Sequence, residues 1–373
     1  MQKKPVILIN AATVKIAGGL IVSFDLVKLL VESDNYELVL VCPDLKKFRR
    51  FKGSCQLIFT PSLLLRRIFR IWLDWVWLPK TIGQVRPDLL ITLGNLPARS
   101  QCRQIMFNDN AFVTEKKLCS IPLHSGERLK HRLRKWMFLQ RIRFLRLIVV
   151  QTQTELNKLL ALPGFHLPAK VLPPLLPSHL TENTEIILLP GRRANAIRLA
   201  CVSYYWSHKN LEILCEVLRL AHAQDLKLQI VFTLNEKKVR GGKNLVNNLQ
   251  PWLNDNSAIN VGNIPANRVM SLIDQCDGVI LPSLVETFGL NCLETWYAEK
   301  TYFVSDLAYA REVCGNAAVY FNPLDASDIL NKIVCTFGDD ALLRSLKSEG
   351  QKKIANWNPK AEYLDLFQKF LAL

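Results

Sequence analysis

No run in the 373-residue chain approaches the ~20 uncharged apolar residues that a membrane-spanning helix needs, which excludes a helical integral membrane protein. The ten cysteines are scattered, with no Cys-x-x-Cys and no His/Cys cluster at zinc spacing. They fit reduced thiols filling the cores of a cytoplasmic protein. The six histidines include no His-x3-His pair, and Gly-x-Ser-x-Gly and Walker segments are missing too. Acid is scarce in one stretch. Residues 45–150 carry 22 Lys and Arg against five acids (Asp74, Asp88, Asp109, Glu115 and Glu127), an excess of 17 in a chain whose net charge is +16. That part attracts anions, while the remainder is close to neutral.

What is present points to a folded protein of two domains. The chain is 49% apolar and 21% charged, too apolar for disorder, and long enough for two separate cores. The start, Met1-Gln2-Lys3-Lys4 followed by Val6-Ile7-Leu8-Ile9, superficially resembles a signal peptide. Its apolar stretch stops at Asn10 and reads as a buried first strand. Short apolar runs then alternate with longer amphipathic stretches. Strands are expected at Val6–Ala11, Leu38–Cys42, Gln56–Thr60, Asp88–Leu93, Gln104–Asn108, Leu147–Gln151 and Val171–Pro173. After Leu172-Pro-Pro-Leu-Leu-Pro-Ser178, whose prolines favour an extended linker, they resume at Arg198–Tyr204, Lys227–Thr233, Ala258–Gly262, Gly278–Pro282, Tyr302–Ser305 and Ala318–Phe321. Helices are expected between them, among others over Leu63–Trp77, Glu127–Phe144, Phe288–Tyr297 and Ala361–Leu373. The alternation predicts α/β architecture with parallel, doubly wound sheets, which bind ligands at the carboxyl ends of their strands. The expected organisation is a domain over 1–173, a second over 174–356, and a final helix over 357–373 packing back on the first. No internal repeat is found.

Two stretches hold most of the basic excess. Residues 62–77 combine Arg66, Arg67 and Arg70 with Trp72, Trp75 and Trp77. Residues 127–150 contain Arg128, Lys130, Arg132, Arg134, Lys135, Arg141, Arg143 and Arg146, with Leu129, Leu133 and Trp136 at helical spacing. Such helices can lie on an anionic membrane, or pack on a sheet with a solvated basic back. Nucleic acid is not expected as a partner, since no recognisable binding motif accompanies the charge.

The most informative segment is Leu281-Pro-Ser-Leu-Val-Glu286-Thr-Phe288-Gly289-Leu290-Asn-Cys-Leu-Glu294, which leaves a buried strand and enters a helix. A helix start offers unpaired N–H groups to a phosphate, Gly289 permits close approach, and the carboxylates can accept from sugar hydroxyls. An ordinary helix with a capping Glu and a surface Glu is the competing reading.

Glu286-x7-Glu294 with its internal Phe-Gly resembles the signature of family four of the retaining glycosyltransferases, which have the GT-B fold, two Rossmann-like domains facing a central cleft. Ser305 to Asp325 and Tyr204-Tyr-Trp-Ser-His208-Lys209-Asn210 resemble that family as well, as does Gly18-Gly19 after the first strand. The resemblance implies that Glu286 contacts the donor sugar and Glu294 the ribose. It sets the backbone of Phe288, Gly289 and Leu290 against the sugar and diphosphate, and gives Lys209 the task of neutralising the leaving diphosphate. Gly18 and Gly19 would let the first loop approach the donor. No Asp-x-Asp pair is present, so no metal and no cofactor is expected beyond the nucleotide sugar. Two departures stand out. Ser203 takes the place of an Arg usual in the family; Arg192 or Arg193 would supply the cation only from the wrong spacing, so neither is expected to replace it. A His common after the fifth strand is replaced by Phe107-Asn108-Asp109-Asn110, where Asn108 or Asp109 would orient sugar or acceptor; His124 lies nearby in sequence.

The resulting expectation is a retaining, metal-independent hexosyltransferase, cytoplasmic and peripheral on the membrane. It would pass sugar from a nucleotide sugar to a glycan or lipid-linked acceptor in polysaccharide or surface-glycan assembly. The rivals are a GT-B sugar-nucleotide epimerase and a non-catalytic basic membrane-binding protein derived from a transferase.

Overall fold

The computed structural model describes residues 3–372 except 16, 66–68, 95, 116–122, 124, 183 and 236–242. Arg66, Arg67 and His124 therefore lie outside the described residues. Among the described residues, thirteen strands form two wholly parallel sheets. The first contains β1 (Val6–Asn10), β2 (Glu37–Cys42), β3 (Gln56–Phe59), β4 (Leu89–Leu93), β5 (Gln104–Asn108), β6 (Leu147–Val150) and β7 (Ala169–Val171), in the order β3-β2-β1-β4-β5-β6-β7. The second contains β8 (Ile197–Cys201), β9 (Leu228–Phe232), β10 (Ala258–Asn260), β11 (Gly278–Leu281), β12 (Thr301–Ser305) and β13 (Val319–Phe321), in the order β10-β9-β8-β11-β12-β13. Twelve of the strands fall where the hydrophobic runs place them, with small shifts at the ends; β7 lies two residues earlier than the expected Val171–Pro173, because Pro173 and Pro174 lack the N–H of a ladder donor.

Both sheets are doubly wound, so each central strand is apolar on both faces. In β1, Ile7 and Ile9 pack with the Ala17–Ser33 helix, while Leu8 faces Leu78 and Ile82 of the Leu78–Val85 helix. The register runs Ile9↔Leu40 and Ile9↔Ile91, which places β1 between β2 and β4. Strand order reverses there, at a switch point between β1 and β4, and again between β8 and β11.

The chain forms two compact units. Among the described residues, those up to Leu175 (Leu123 excepted) and those from Asn358 onward make the first, and Leu176–Trp357 make the second. The Lys360–Ala372 helix inserts Tyr363, Leu366 and Phe367 into the core of the first sheet. There Tyr363 stacks on Phe107 at 5.6 Å and its hydroxyl donates to the Pro173 carbonyl.

The helices depart from expectation in several places. Leu63–Trp77 is not one helix. A 3-10 turn at Ser62–Leu65 is followed by a short helix, Arg70–Trp72, and a π-turn, Leu73–Trp77, before Leu78–Val85. Pro79 lacks the N–H that an uninterrupted α-helix would aim at the Trp75 carbonyl, and a widened turn accommodates this. The Asp340–Ala355 helix was not anticipated, because only Leu346 and Gly350 of it are buried and its apolar stripe is correspondingly thin. Its signals are polar ones: Asp339 accepts from the Leu342 N–H at the start, and Lys352 and Lys353 occupy the last turn. Ala308–Cys314 is a further helix that was not anticipated; four of its seven residues are buried, but two turns are too short to show a helical period. No helix among the described residues is long and apolar enough to cross a membrane.

Candidate functional site

In the second unit, Lys209 and Glu286 come from the loops after β8 and β11, the two strands flanking the switch point. Trp206 to Asn210 makes a tight 3-10 turn that ends on Asn210 at φ +55°. This turn is held from both sides. The Leu284 N–H donates to the His208 carbonyl at 2.8 Å, and Asn210 Nδ2 donates to the Pro323 carbonyl at 2.7 Å. The first of these bonds brings the loop carrying Glu286 against the turn carrying Lys209, and the Lys209 ammonium donates to Glu286 Oε1. The two side chains are 19% and 14% exposed. Burial pushes the Glu286 carboxyl up, but the positive charges of Lys209 and His208 outweigh it and hold the pKa below the ordinary value.

Gly289 adopts φ +80°, a conformation that glycine adopts freely. A Cβ there would stand 3.4 Å from Tyr309 Cε2 and 3.6 Å from the Tyr302 hydroxyl, so these tyrosines form the floor beneath the turn. The positive φ delays the helix, which begins at Asn291 with Leu290 as its N-cap residue. Glu294 is consequently in the first turn, whereas the helix expected from Phe288 would have placed it about two turns in. Phe288 turns its ring into the core, edge-on to Trp357 at 5.5 Å, which leaves the backbone of Phe288, Gly289 and Leu290 to line the loop.

Glu294 is 3% exposed. Its Oε1 lies 3.0 Å from His179 Nε2, and its Oε2 accepts from Asn291 Nδ2 at 2.9 Å. Each oxygen thus already has one partner within the protein, out of about four acceptor sites on the carboxylate. Ser203 is also engaged: its hydroxyl donates to the Tyr204 carbonyl at 2.9 Å, and its N–H donates to Thr233 Oγ1. The substitute cations are not near this loop cluster. Arg192 pairs with Asp277, and Arg193 lies 3.3 Å from Asp255. Both acids precede strands (β11 and β10), at the amino edge of a parallel sheet whose carboxyl edge carries Lys209 and Glu286. Neither arginine is placed to replace the missing cation, in keeping with their wrong spacing in the sequence.

The remaining candidates gather in the first unit. Gly18 and Gly19 belong to the first turn of the Ala17–Ser33 helix, rather than to a separate turn. A Cβ on Gly19 would stand 2.8 Å from Asp109 Oδ2, so Gly19 makes room for that carboxyl, whose pKa burial raises. Asn108 ends β5, is 2% exposed, and makes no hydrogen bond through its side-chain amide to the described protein. With Gly94, Asp109, Gln151 and Tyr363 it lines a small cavity at the carboxyl edge of the first sheet. A buried amide with both functions unspent suits a ligand hydroxyl or a bound water.

The sequence reading missed His179, Asn291, Tyr302 and Tyr309. Asn291 sits three residues before Glu294, a spacing that puts the pair on one face of a helix. The other three carry no local signal, because their partners are remote in sequence.

A family model for glycosyl transferases group 1 matches residues 196–339. Among curated proteins none matches. Solved structures similar over both sheets include a sucrose-phosphate synthase from Thermosynechococcus elongatus (TM-score 0.76, 15% identity, 99% of this chain and 98% of that one). HepE of Anabaena, in complex with UDP and glucose, is similar at TM-score 0.72 and 13% identity, covering 99% of this chain and 100% of that one. WaaG, a glycosyltransferase involved in lipopolysaccharide biosynthesis, gives TM-score 0.68 and 11% identity over 97% and 99%. The switch-point loops bearing Lys209 and Glu286 lie within the segment that the glycosyl transferases group 1 model matches, and the chain as a whole has the GT-B fold.

Proposed function

We propose that the protein is a retaining hexosyltransferase that binds a nucleotide sugar at the carboxyl edge of its second sheet. The sugar would pass to a glycan or lipid-linked glycan, in polysaccharide or surface-glycan assembly. The observation that carries this reading is the Lys209–Glu286 pair at the switch point. An ammonium there can take the charge that accumulates on a departing diphosphate without a metal, and an ionised carboxylate can accept from sugar hydroxyls. The two groups hold each other in place before the donor arrives. Glu286 positions the donor and does not attack, so the carboxylate-pair logic of glycosidases does not apply. Retention then follows from front-face displacement through an oxocarbenium-like state. HepE, bound to UDP and glucose, supports a uridine nucleotide as the first donor to try.

One observation favours a second reading, a transferase-derived protein without turnover. Ser203 offers no positive charge, its hydroxyl is spent on the backbone, and Arg192 and Arg193 are committed elsewhere.

Thermal unfolding with a panel of nucleoside diphosphates and nucleotide sugars separates the two, since a ligand that binds the native state raises Tm in a concentration-dependent way. A shift with one nucleotide family, together with sugar release lowered on the order of 100- to 1000-fold by Lys209→Ala, is the expected result. No shift with any nucleotide would favour the second reading.

A further inference from the structure

On the 70–77 segment, Ile71, Trp72, Trp75 and Val76 are 69%, 60%, 55% and 44% exposed, whereas Leu73 between them is fully buried. Positions i, i+1, i+4 and i+5 make one helical stripe. The Ser125–Arg141 helix repeats the arrangement: Leu129, Leu133 and Trp136 are 68%, 52% and 59% exposed, while His131 and Phe138 point inward. The two elements lie side by side, tied by Arg141 to Asp74 at 3.9 Å, with Arg134 close enough to Arg70 for the like charges to interact. Both helices thus turn apolar stripes outward, where a helix covering a sheet ordinarily shows polar residues.

The fully exposed charge around these stripes is basic. Lys130, Arg132 and Arg143 are exposed, and the Arg99 guanidinium lies over the Trp75 ring at 3.7 Å. Indoles favour the headgroup level of a bilayer, leucine and isoleucine favour its acyl boundary, and arginine favours lipid phosphate. A second copy of the chain fits poorly, because each copy would bring the same basic excess to a self-complementary contact. Nucleic acid would use the arginines and leave the aliphatic stripe in water.

We propose that the paired faces centred on Trp72, Trp75 and Trp136 dock the first unit onto an anionic lipid bilayer. This surface is independent of the Lys209–Glu286 site, so either reading can fail without the other.

The test uses the full chain with vesicles of phosphatidylcholine, with and without phosphatidylglycerol, whose acyl chains carry bromine to quench nearby tryptophan. The expected result is binding and quenching only with phosphatidylglycerol, weakening as salt rises. The triple variant Trp72→Ala/Trp75→Ala/Trp136→Ala weakens binding by at least about tenfold, and Arg132→Glu/Arg143→Glu by a similar factor of about ten. Every substituted side chain is exposed, so the Tm of both variants stays near that of the parent; should the triple variant unfold, the charge-reversal pair decides alone. Lys209→Ala binds vesicles as the parent does. Equal binding to both vesicle types, binding indifferent to the variants, or no binding at all would overturn the proposal. So would tighter binding to a DNA or RNA oligonucleotide than to vesicles, or a dimer that the tryptophan variant dissolves while vesicles go unbound.

Discussion

The Lys209 ammonium donates to Glu286 although 77 residues separate the two, and both side chains are largely withdrawn from water. Removing one partner strands the other charge, so the pair is expected to couple strongly in stability. A double-mutant cycle with Lys209→Met and Glu286→Gln, followed by urea unfolding, should return a coupling of roughly 1–3 kcal/mol. The folded-state pKa of Glu286 lies below its ordinary value, so its stabilisation is present above the unfolded pKa and lost as pH falls through the folded one. The stability gap between the parent and Glu286→Gln should therefore narrow in acid. A gap independent of pH would contradict the pairing.

His131 is buried and stacks on Phe112 with ring centroids 3.9 Å apart. Burial, reinforced by Arg134 and Lys130, pushes its pKa down to about 4. Between that value and the ordinary pKa near 6.5, the unfolded chain takes up a proton that the folded chain refuses. Stability should be complete above the upper value and decline by about 2–3 kcal/mol as pH falls to the lower one. His131→Phe should remove this part of the slope, as read from Tm against pH.

Gly19 and Asp109 share a tight space. Gly19→Ala drives a methyl group into the Asp109 carboxyl and is expected to cost roughly 1–3 kcal/mol. Shortening the neighbour in Gly19→Ala/Asp109→Ala should recover much of the loss. If the double variant is as unstable as the sum of the singles, the contact is not the cause.

His179 and Asn291 occupy the two oxygens of Glu294. His179→Ala leaves a buried carboxylate oxygen without that partner and should cost about 1–3 kcal/mol in unfolding experiments. If nucleotides reach Glu294 by displacing His179, the same variant binds them more tightly. Unchanged nucleotide affinity would keep the ribose away from this carboxylate.

Much of the candidate site was legible because the residues that make it up are spaced locally. Glu286, Gly289 and Glu294 are spaced within one loop-to-helix segment, and Lys209 closes a short turn after its strand. Asn108 and Asp109 follow directly from the end of β5. What escaped depends on contacts at long sequence separation. Nothing near Pro177-Ser178-His179 announces that this histidine reaches Glu294, 115 residues on. The acids that hold Arg192 and Arg193 at the amino edge of the sheet are likewise remote from them in sequence.

The sequence by itself determined the thirteen strands and their parallel character, because strands buried on both faces must be short, continuous apolar runs separated by helices. It also determined where basic and aromatic residues concentrate. Tertiary structure alone decided that β1 sits between β2 and β4 and that β8 sits between β9 and β11, which brings the loops of Lys209 and Glu286 together. It alone decided that the tryptophan stripes face outward. Periodicity records which side of an element is buried or apolar; strand order and hydrogen-bond partners arise only when crossovers pack distant segments side by side.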